Sequence, residues 1–393
     1  MLKTTSKNWD LFSEIATLKD KSHYRRMPEV SGMPGRIINI DGRNVLNFSS
    51  NNYLGLAGHP QILEAFSKAV HTYGAGSTAS RLIAGNTHSH CQLEEFIANW
   101  KKTEAALVFG SGYQANLGIL TTLTNREDLV ISDELNHASI IDGCRLSKAK
   151  VWVYRHLDLN SASDALKQEG FRRKLLITES VFSMDGDHAP LKELSNLCMK
   201  HDAFMVVDEA HATGIYGPSG QGLCSALGAI PDVQMGTLGK AGGVSGAYVA
   251  GSRSLIDLLV NRARSFIFTT AHSPAVSEAA LEALKIIVSP EGDRRRSMLK
   301  SNVKRMDEML QRVLPHRNFS CHIKPIHVGP SDLTMRMSKA CLEQGLFVHG
   351  IRFPSVREGA ARLRLTLMSD HTNEDLQKAS RIIEAVFTAH ANC

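Results

Sequence analysis

Seven short apolar runs between residues 105 and 252 constrain the fold of this 393-residue chain more than any other feature. The runs are "AALVFGSG", "DLVISDE", "KVWVYRH", "KLLITES", "FMVVDEA", "DVQMGTLG" and "GAYVAGS". Each has the length of a strand, and most are followed by a stretch long enough for a helix. This alternation predicts an α/β fold with a large, mostly parallel, seven-stranded sheet covered on both faces. Ligands gather at the carboxyl ends of the strands in such a sheet, which is where these runs carry their polar residues.

A second pattern starts near residue 290. The stretch "DRRRSMLKSNVKRMDEMLQRVL" predicts a long amphipathic helix, and "IKPIHVG", "LFVHGIR" and "ARLRLTLM" predict strands around the helix "SDLTMRMSKACLEQG". Thr372 and Asp375 are spaced as a capping box for the last helix. We therefore expect an N-terminal segment at 1–45, a large domain at 46–288 and a smaller α+β domain at 289–393.

The charge pattern argues against nucleic acid as a partner. The chain has 45 Lys and Arg against 39 Asp and Glu, a formal net charge of +6, and its basic residues are scattered along the sequence. A small excess of basic residues fits small carboxylate or phosphorylated ligands better than it fits nucleic acid.

The cysteines indicate a reducing compartment. Seven of them lie far apart without a C-x-x-C pair, which favours free thiols over a disulfide or zinc framework. They are Cys91, Cys144, Cys198, Cys224, Cys321, Cys341 and Cys393. The N-terminal stretch lacks the apolar region of a secretory signal, and no apolar run approaches the ~18 residues of a membrane span. We expect a cytoplasmic protein with no metal site and no membrane association.

A single lysine, Lys240, stands among glycines in "GTLGKAGG", three residues after Thr237. A flexible turn with a chance lysine is one interpretation. The other is a nucleophilic amine that needs room for a ligand directly against it.

The stretch "FMVVDEAHATGIYG" places Asp208 at the end of a buried strand and His211 three residues later. A carboxylate there is costly unless it meets a cation or several donors. A helix cap or salt bridge is one explanation. A protonated pyridine nitrogen as the partner is the functional alternative.

The loop "FGSGYQANLG" places Ser111, Gly112 and Tyr113 between a strand and a helix, where backbone N–H groups are free to bind a phosphate. It lacks the G-x-G-x-x-G fingerprint, and the chain has no G-x-x-x-x-G-K-[ST] motif, so a nicotinamide or nucleoside triphosphate site is disfavoured.

Two further strand ends carry polar residues. His137 follows one strand in "SDELNHASIIDG", and Glu179 and Ser183 follow another in "ITESVFSMDGD". Each could be purely structural when taken alone. In order along the chain, however, a phosphate loop, a strand-end histidine, D-x-x-H and a glycine-flanked lysine describe a pocket for pyridoxal 5'-phosphate (PLP). In such a pocket the lysine forms the Schiff base, the carboxylate pairs with the ring nitrogen and the loop holds the phosphate.

The ordered motifs resemble those of the α-oxoamine synthases, PLP enzymes of aminotransferase fold type I. The resemblance covers nearly the whole chain and rests on "NFSSNNYLGLAGHP", "GAGSTASRLIAGNTHSH", "NHASIIDGCRLSKA", "TESVFSMDGD", "DEAHATGIYGPSGQG", "TLGKAGG" and "GIRFPSV" followed by "ARLRLTL". It is greatest to the members that join L-alanine to a pimeloyl thioester, on coenzyme A or acyl carrier protein, on the pathway to biotin.

The resemblance implies a role for each residue of the pocket. Lys240 would carry the cofactor and Asp208 would bind its ring nitrogen. His211 would hydrogen-bond the ring hydroxyl, and His137 would stack on the ring. The other cofactor residues would be Ser111, Gly112, Tyr113, Glu179, Ser183 and Thr237.

The family's active site lies at a homodimer interface, which implies that Thr269 and Thr270 in "FIFTTAHSP" reach the phosphate of the neighbouring subunit. Asn51 and Arg364 would meet the amino-acid substrate, with Arg352 close by.

The free carboxylate of a pimeloyl chain also requires a cation. Arg25 and Arg26 in "KSHYRRMPEV" are the candidates, since the family's N-terminal segment runs near the substrate entrance. A solvated dibasic surface pair is the alternative.

Two other functions remain open from the sequence. A 2-amino-3-oxobutyrate CoA ligase shares "NHASIIDG" and "TESVFSMDGD", although "GIRFPSV" favours the pimeloyl-using members. A non-catalytic subunit of the same fold would have lost the lysine that this chain keeps. One departure from the family is Ala84, where serine is common, which puts a polar contact near Arg81 in doubt.

Overall fold

The computed structural model describes residues 10–313 and 321–390, so Cys393 lies outside the described residues. The strands are β1 (Val30–Ser31), β2 (Ile37–Ile40), β3 (Arg43–Asn47), β4 (Ala105–Phe109), β5 (Leu129–Asp133), β6 (Lys150–Tyr154), β7 (Lys174–Glu179), β8 (Phe204–Asp208), β9 (Val233–Thr237), β10 (Ala247–Gly251), β11 (Ile323–Gly329), β12 (Leu346–Phe347), β13 (His349–Ile351) and β14 (Ala361–Thr366).

The helices are α1 (Leu11–Asp20), α2 (Pro60–Tyr73), α3 (His88–Lys101), α4 (Gly112–Leu123), α5 (Ala138–Ser147), α6 (Leu159–Leu166), α7 (Leu191–Lys200), α8 (Leu223–Leu227), α9 (Arg253–Arg262), α10 (Arg264–Ile267), α11 (Pro274–Val288), α12 (Pro290–Val313), α13 (Ser331–Glu343) and α14 (Asn373–His390). A short 3₁₀ turn covers Pro218–Gly220. No helix in the described residues has the length and apolar character needed to cross a bilayer.

The chain forms two compact units. The sheet unit comprises residues 51–301 and 368–370, and the terminal unit comprises 10–50, 302–313, 321–367 and 371–390 of the described chain. The division falls within α12, at a point later than the boundary after residue 288 that the sequence suggested. The three-part domain division stays a prediction.

The sheet unit is built around seven strands in the order β4-β10-β9-β8-β7-β5-β6. All neighbours pair in parallel except β10, which is antiparallel to both β4 and β9. Every residue of β4, β5 and β10 is buried, as expected for a sheet covered on both faces. All seven strands predicted from the apolar runs are present, and the predicted α/β fold is confirmed.

One layer of the core lies between the sheet and the helices α4, α5 and α9. Its members are apolar side chains from both layers, among them Leu107, Phe109, Ile119, Leu120, Val130, Ile140, Val206, Val249 and Leu259. This packing holds the first turns of α4 and α5 at the carboxyl ends of the parallel strands.

The terminal unit contains two small sheets. In one, β3 pairs with β2 and also, in parallel, with β12 from far along the chain. In the other, β14 is flanked by β11 and β13, both antiparallel. The strands β11 to β14 and the helices α13 and α14 match the predicted α+β pattern, whereas β1 to β3 were not predicted.

The last helix begins at the capping box that the sequence predicted. The Thr372 N–H donates to the Asp375 side chain at 2.9 Å, and the Asp375 N–H donates to Thr372 Oγ1 at 3.2 Å. Two of the unpaired N–H groups at the helix N-terminus are thereby satisfied.

A buried ion pair, Lys101 with Glu209, links α3 to the segment that follows β8. The Nζ–Oε2 distance is 2.6 Å, and the two side chains are 1% and 0% exposed. Glu209 also accepts the Cys224 N–H at 2.8 Å, and Lys101 donates to the Gln221 carbonyl. Burial alone would lower the pKa of Lys101, but the charge of Glu209 raises it above its ordinary value. The pair therefore holds the residue next to Asp208 in place.

We predict that Lys101→Met destabilises the protein by about 3–5 kcal/mol, because removing one partner leaves a buried charge uncompensated. The free energy of unfolding in urea measures this loss. Lys101→Met combined with Glu209→Gln removes both charges and should recover part of the stability. A single variant as stable as the wild type would contradict the role of the pair.

Candidate active site

A cavity of about 200 Å³ lies in the sheet unit, at the carboxyl ends of the central strands. Eight of the residues predicted for the cofactor line it: Gly112, Tyr113, His137, Glu179, Asp208, His211, Thr237 and Lys240. They come from five separate stretches of the chain. The first turns of α4 and α5 and the ends of β7, β8 and β9 bring them together, as expected at this edge of a parallel sheet.

Two buried carboxyl groups stand side by side in this cavity. Glu179 and Asp208 are directly paired in the register of β7 and β8, and they are 3% and 4% exposed. Burial raises the pKa of Glu179 to about 8, with a further contribution from the charge of Asp208. Lys240 and the N–H groups of His137 and Ser183 act in the opposite direction. Burial beside Asp208 therefore favours the protonated form of Glu179.

Asp208 is surrounded by hydrogen-bond donors. Its Oδ1 accepts the Ala210 N–H at 2.8 Å, and its Oδ2 accepts from Asn116 Nδ2 at 2.9 Å. The same Asn116 amide group donates to Ser139 Oγ at 2.9 Å. Donors on both oxygens keep the carboxylate in one orientation at the cavity wall.

Sequence reasoning missed Asn116, Ser139, Ala210 and Met235, which also line the cavity. One signal was available for Asn116, since it lies four residues after Gly112 and therefore on the same face of α4. The pairing of Asn116 with Asp208 spans 92 residues and depends on how α4 packs against the sheet.

His137 caps the N-terminus of α5 and also lines the cavity. Its Nδ1 accepts the Ser139 N–H at 3.2 Å and lies 2.8 Å from Ser139 Oγ. Burial lowers its pKa, and the charge of Lys240 adds to this effect while Asp208 opposes it. Burial thus favours the neutral ring, and the hydrogen bonds of the cap hold its orientation.

Lys240 follows the end of β9 by three residues, and its Nζ lies 3.0 Å from His211 Nε2. The other ring nitrogen of His211 lies 2.7 Å from the hydroxyl of Tyr53. Tyr53 in turn donates to Asn51 Oδ1 at 2.9 Å. Asn51, predicted to meet the substrate, is therefore connected to the lysine through two side chains.

The glycines beside Lys240 have a structural reason in addition to the one expected. Gly243 has a φ of +68°, and a Cβ there would lie 2.4 Å from the Ala57 nitrogen. A Cβ on Gly242 would lie 2.7 Å from the Leu238 carbonyl oxygen. Close approach of the protein's own backbone requires both glycines.

Four predicted cofactor residues do not line the cavity. Ser111 is the N-cap of α4 and accepts the Gln114 N–H at 3.2 Å, while Ser183 contributes its N–H to Glu179. Thr269 and Thr270 line a separate small cleft of the sheet unit.

Arg81 borders the cleft that contains Thr269 and Thr270. It forms a bidentate pair with Glu94 at 2.9 Å for each contact, and its Nε donates to Asn86 at 2.7 Å. Arg81 therefore has polar partners although residue 84 is alanine.

The remaining predicted substrate residues belong to the terminal unit. Arg364 lies on β14, opposite His349 of β13, and is 8% exposed. Arg352 is 4% exposed and donates to the Tyr24 carbonyl at 2.6 Å. Arg25 donates to the Phe353 carbonyl at 3.0 Å.

Three guanidinium groups of the terminal unit, those of Arg25, Arg352 and Arg364, form a positive cluster at His349. Partial desolvation lowers the pKa of His349, and the charges of Arg352, Arg25 and Arg364 lower it further. In the part of the chain that the structure describes, neither Arg25 nor Arg352 forms an ion pair, and Arg25 and Arg26 are both exposed. The hydrogen bond of Arg25 to the Phe353 carbonyl and its charge near His349 favour Arg25 over Arg26 as the partner of an anionic group.

The cavity fits the PLP predicted from the sequence. A pyridinium needs a carboxylate, which Asp208 provides, and an aldehyde needs an amine, which Lys240 provides. The N-terminus of α4 at Gly112 suits a phosphate. Within the described residues, Glu179 Oε1 is buried and has no hydrogen-bond partner, so this wall of the cavity offers a polar group to a ligand. Among the described residues, no three His, Cys, Asp or Glu side chains could hold a metal ion.

The chain is similar to known proteins over most of its length. Residues 43–383 match the family model for aminotransferase class I and II. The 8-amino-7-oxononanoate synthase of Citrifermentans bemidjiense is 47% identical, over 95% of this chain and 97% of the relative. That of Geobacter sulfurreducens is 46% identical (93% and 95%), and 8-amino-7-oxononanoate synthase 1 of Bacillus velezensis is 41% identical (95% and 96%).

Solved structures agree with the fold. A structure of SPT with PLP as an internal aldimine has a TM-score of 0.91 and 28% identity, covering 98% of both chains. The serine palmitoyltransferase of Sphingomonas wittichii has the same TM-score and identity, covering 98% of this chain and 99% of its own. The 8-amino-7-oxononanoate synthase of Francisella tularensis has a TM-score of 0.76 and 29% identity, covering 88% and 99%. The chain therefore belongs to the aminotransferase class I and II family, with 8-amino-7-oxononanoate synthases among its relatives.

Proposed function

We propose that this protein is a PLP-dependent acyltransferase of biotin biosynthesis. It joins L-alanine to a pimeloyl thioester, on coenzyme A or acyl carrier protein, and releases carbon dioxide and the free thiol to give 8-amino-7-oxononanoate. The observation that carries the proposal is the convergence of Lys240, His211, Asp208 and His137 on one cavity, in a chain 41–47% identical to enzymes of that name.

When bound, PLP supplies an aldehyde for attachment to the protein and a protonated ring that takes up the electron pair left at the amino acid's Cα. The residues of this chain bind and orient the cofactor and the substrates. Asp208, held by Asn116 and the Ala210 N–H, stabilises the positive ring nitrogen. His137, neutral and fixed as a helix cap, offers a flat face to the ring.

Lys240 has two tasks in this proposal. Its amine binds the cofactor, and once displaced by alanine it removes the Cα proton as general base. Arg364 pairs with the alanine carboxylate, for which the planar guanidinium is suited because it donates two parallel hydrogen bonds. Gly112, Tyr113 and Thr237 hold the phosphate through the N-terminus of α4 and the end of β9.

The pimeloyl carboxylate needs its own cation, because Arg364 is engaged by alanine. We assign this role to Arg25, which lies beside Phe353 and adds to the positive cluster at His349. Arg352, buried in the same cluster, supports it. Arg26, which is adjacent in the chain and exposed like Arg25, serves as a matched control.

We further propose a homodimer in the cytoplasm. Thr269 and Thr270 line a cleft apart from the cofactor cavity, which suits a contact to the neighbouring subunit's phosphate. Phe268 beside them is 70% exposed, an apolar surface that an interface would cover. The six cysteines of the described residues are free thiols, which is typical of a reducing compartment.

The first prediction concerns Lys240. Lys240→Ala should abolish turnover and the visible absorption of the linked cofactor, since loss of a general base alone costs ~10²–10⁴-fold. Lys240→Arg keeps the charge but cannot form the linkage, and it should fail equally. Thiol release and an absorbance scan measure both effects. Near-native turnover in either variant would refute the assignment.

The second prediction separates the two N-terminal arginines. Arg25→Ala should raise the KM for pimeloyl thioester about tenfold or more, because hydrogen bonds to charged groups contribute about 1.5–3 kcal/mol. It should barely affect an uncharged acyl thioester of the same length or the KM for alanine. Arg26→Ala should leave all three constants unchanged. Unaltered selectivity between the thioesters in Arg25→Ala would rule out this anchor.

The third prediction follows from the raised pKa of Glu179. The ordinary pKa of Glu179 is 4.5, and its value in the folded protein is about 8. Between pH 4.5 and pH 8 the Glu179 carboxyl group is therefore ionised in the unfolded chain and protonated in the folded chain. The contribution of Glu179 to the free energy of unfolding is fully present below pH 4.5. It is lost as the pH rises towards 8, by at most about 1.4 kcal/mol per pH unit.

Glu179→Gln removes this pH dependence, which urea unfolding at pH 6, 7 and 8 measures in variant and wild type. Glu193→Gln, at an exposed position of α7, should keep the wild-type slope. Parallel slopes for wild type and Glu179→Gln would show that Glu179 is ionised in the folded protein.

A further inference from the structure

Tyr53 is a buried titratable residue that the proposed reaction does not use. It is 0% exposed, and its hydroxyl lies between Asn51 Oδ1 at 2.9 Å and His211 Nδ1 at 2.7 Å. The opposite nitrogen of the His211 ring lies 3.0 Å from Lys240 Nζ. Four side chains therefore form one hydrogen-bonded line that ends at the lysine.

The chemistry of its two ends sets the direction of every hydrogen bond in this line. A lysine ammonium has donors only, so His211 Nε2 must accept from it. A neutral imidazole with an accepting Nε2 carries its proton on Nδ1, and that N–H donates to the Tyr53 oxygen. Tyr53 is then left to donate its own O–H, which Asn51 Oδ1 accepts.

We propose that Tyr53, held by Asn51, is a positioning residue that keeps His211 in the Nδ1–H tautomer and turns an accepting Nε2 towards Lys240. The inference rests on the proposed function, in which the Lys240 amine links the cofactor. An acceptor at 3.0 Å favours the ammonium over the amine, so the line holds a proton on Lys240. It acts through His211, without Tyr53 itself touching the lysine.

Other charges act on Lys240 as well. Glu179 and His137 interact with it electrostatically, and Asp208 lines the same cavity. A substitution at Tyr53 leaves all three in place. A change in the pH at which Lys240 becomes reactive then reports on His211.

The measurement is the pH dependence of cofactor attachment. Only the free amine attacks the PLP aldehyde; the C=N bond forms and water leaves. The full-length chain is freed of PLP, PLP is added back, and the visible absorbance is followed from pH 6 to 10. Borohydride reduction and peptide mapping then identify the modified lysine.

Tyr53→Phe removes the acceptor of the Nδ1 proton, so the proton moves to Nε2 and faces the ammonium. We expect the midpoint of attachment to fall by about one pH unit, a tenfold gain in free amine at a given pH below it. Tyr248→Phe is the matched control, since Tyr248 is also 0% exposed and its hydroxyl contacts Thr213 at 3.1 Å. Its midpoint should equal that of the wild type.

Asn51→Ala is a second, independent variant. Without Asn51 the Tyr53 O–H turns towards His211 Nδ1, which drives the proton to Nε2, and the midpoint should again fall. A wild-type midpoint in both Tyr53→Phe and Asn51→Ala, or an equal fall in Tyr248→Phe, would overturn the inference. Failure of the wild type to attach PLP at Lys240 would instead overturn the proposed function and, with it, this inference.

Discussion

The register between β7 and β8 is the constraint on which the site depends. It sets Glu179 directly beside Asp208, and both are almost fully buried. Ionising two neighbouring carboxyl groups that are removed from water is costly, and burial together with the charge of Asp208 raises the pKa of Glu179. The sheet accommodates the two carboxyl groups in different ways. Glu179 is stabilised in its protonated form, and Asp208 is stabilised by hydrogen-bond donors and by nearby positive charge.

The groups that stabilise these two carboxyls come from different parts of the chain. The second turn of α4 brings Asn116 to Asp208, and the segment before α5 brings the His137 N–H to Glu179. Lys240 adds positive charge after β9, where the antiparallel neighbour β10 closes the sheet against β4. The polar environment is thus set before a ligand arrives. A preorganised environment of this kind favours the developing charges of a reaction without reorganisation during it.

The same packing fixes the position of the segment after β8. Glu209, the residue after Asp208, forms the buried pair with Lys101 and accepts the Cys224 N–H. His211, two residues further on, is held from the other side by Tyr53. A residue with a structural role, Glu209, therefore lies between the two cavity residues Asp208 and His211, and its buried contacts fix the orientation of both.

Much of the fold and of the cavity could be predicted from the sequence because both depend on local patterns. Short apolar runs each followed by a helix determine a parallel sheet, and the residue that ends each run must lie at its carboxyl edge. Asp208, Glu179 and His137 were located in this way. The capping box of Thr372 and Asp375 is also local, since its hydrogen bonds span three residues.

What only the tertiary structure decided are the contacts between residues far apart in the chain. The pairing of β3 with β12 joins residues about 300 apart, and Asn116 meets Asp208 across 92 positions. Gly243 is a glycine because Ala57 approaches it, which no motif around Lys240 indicates. The physical reason is that periodicity records which face of an element is apolar, whereas hydrogen bonds between elements depend on register and packing, which form only when the whole chain is folded.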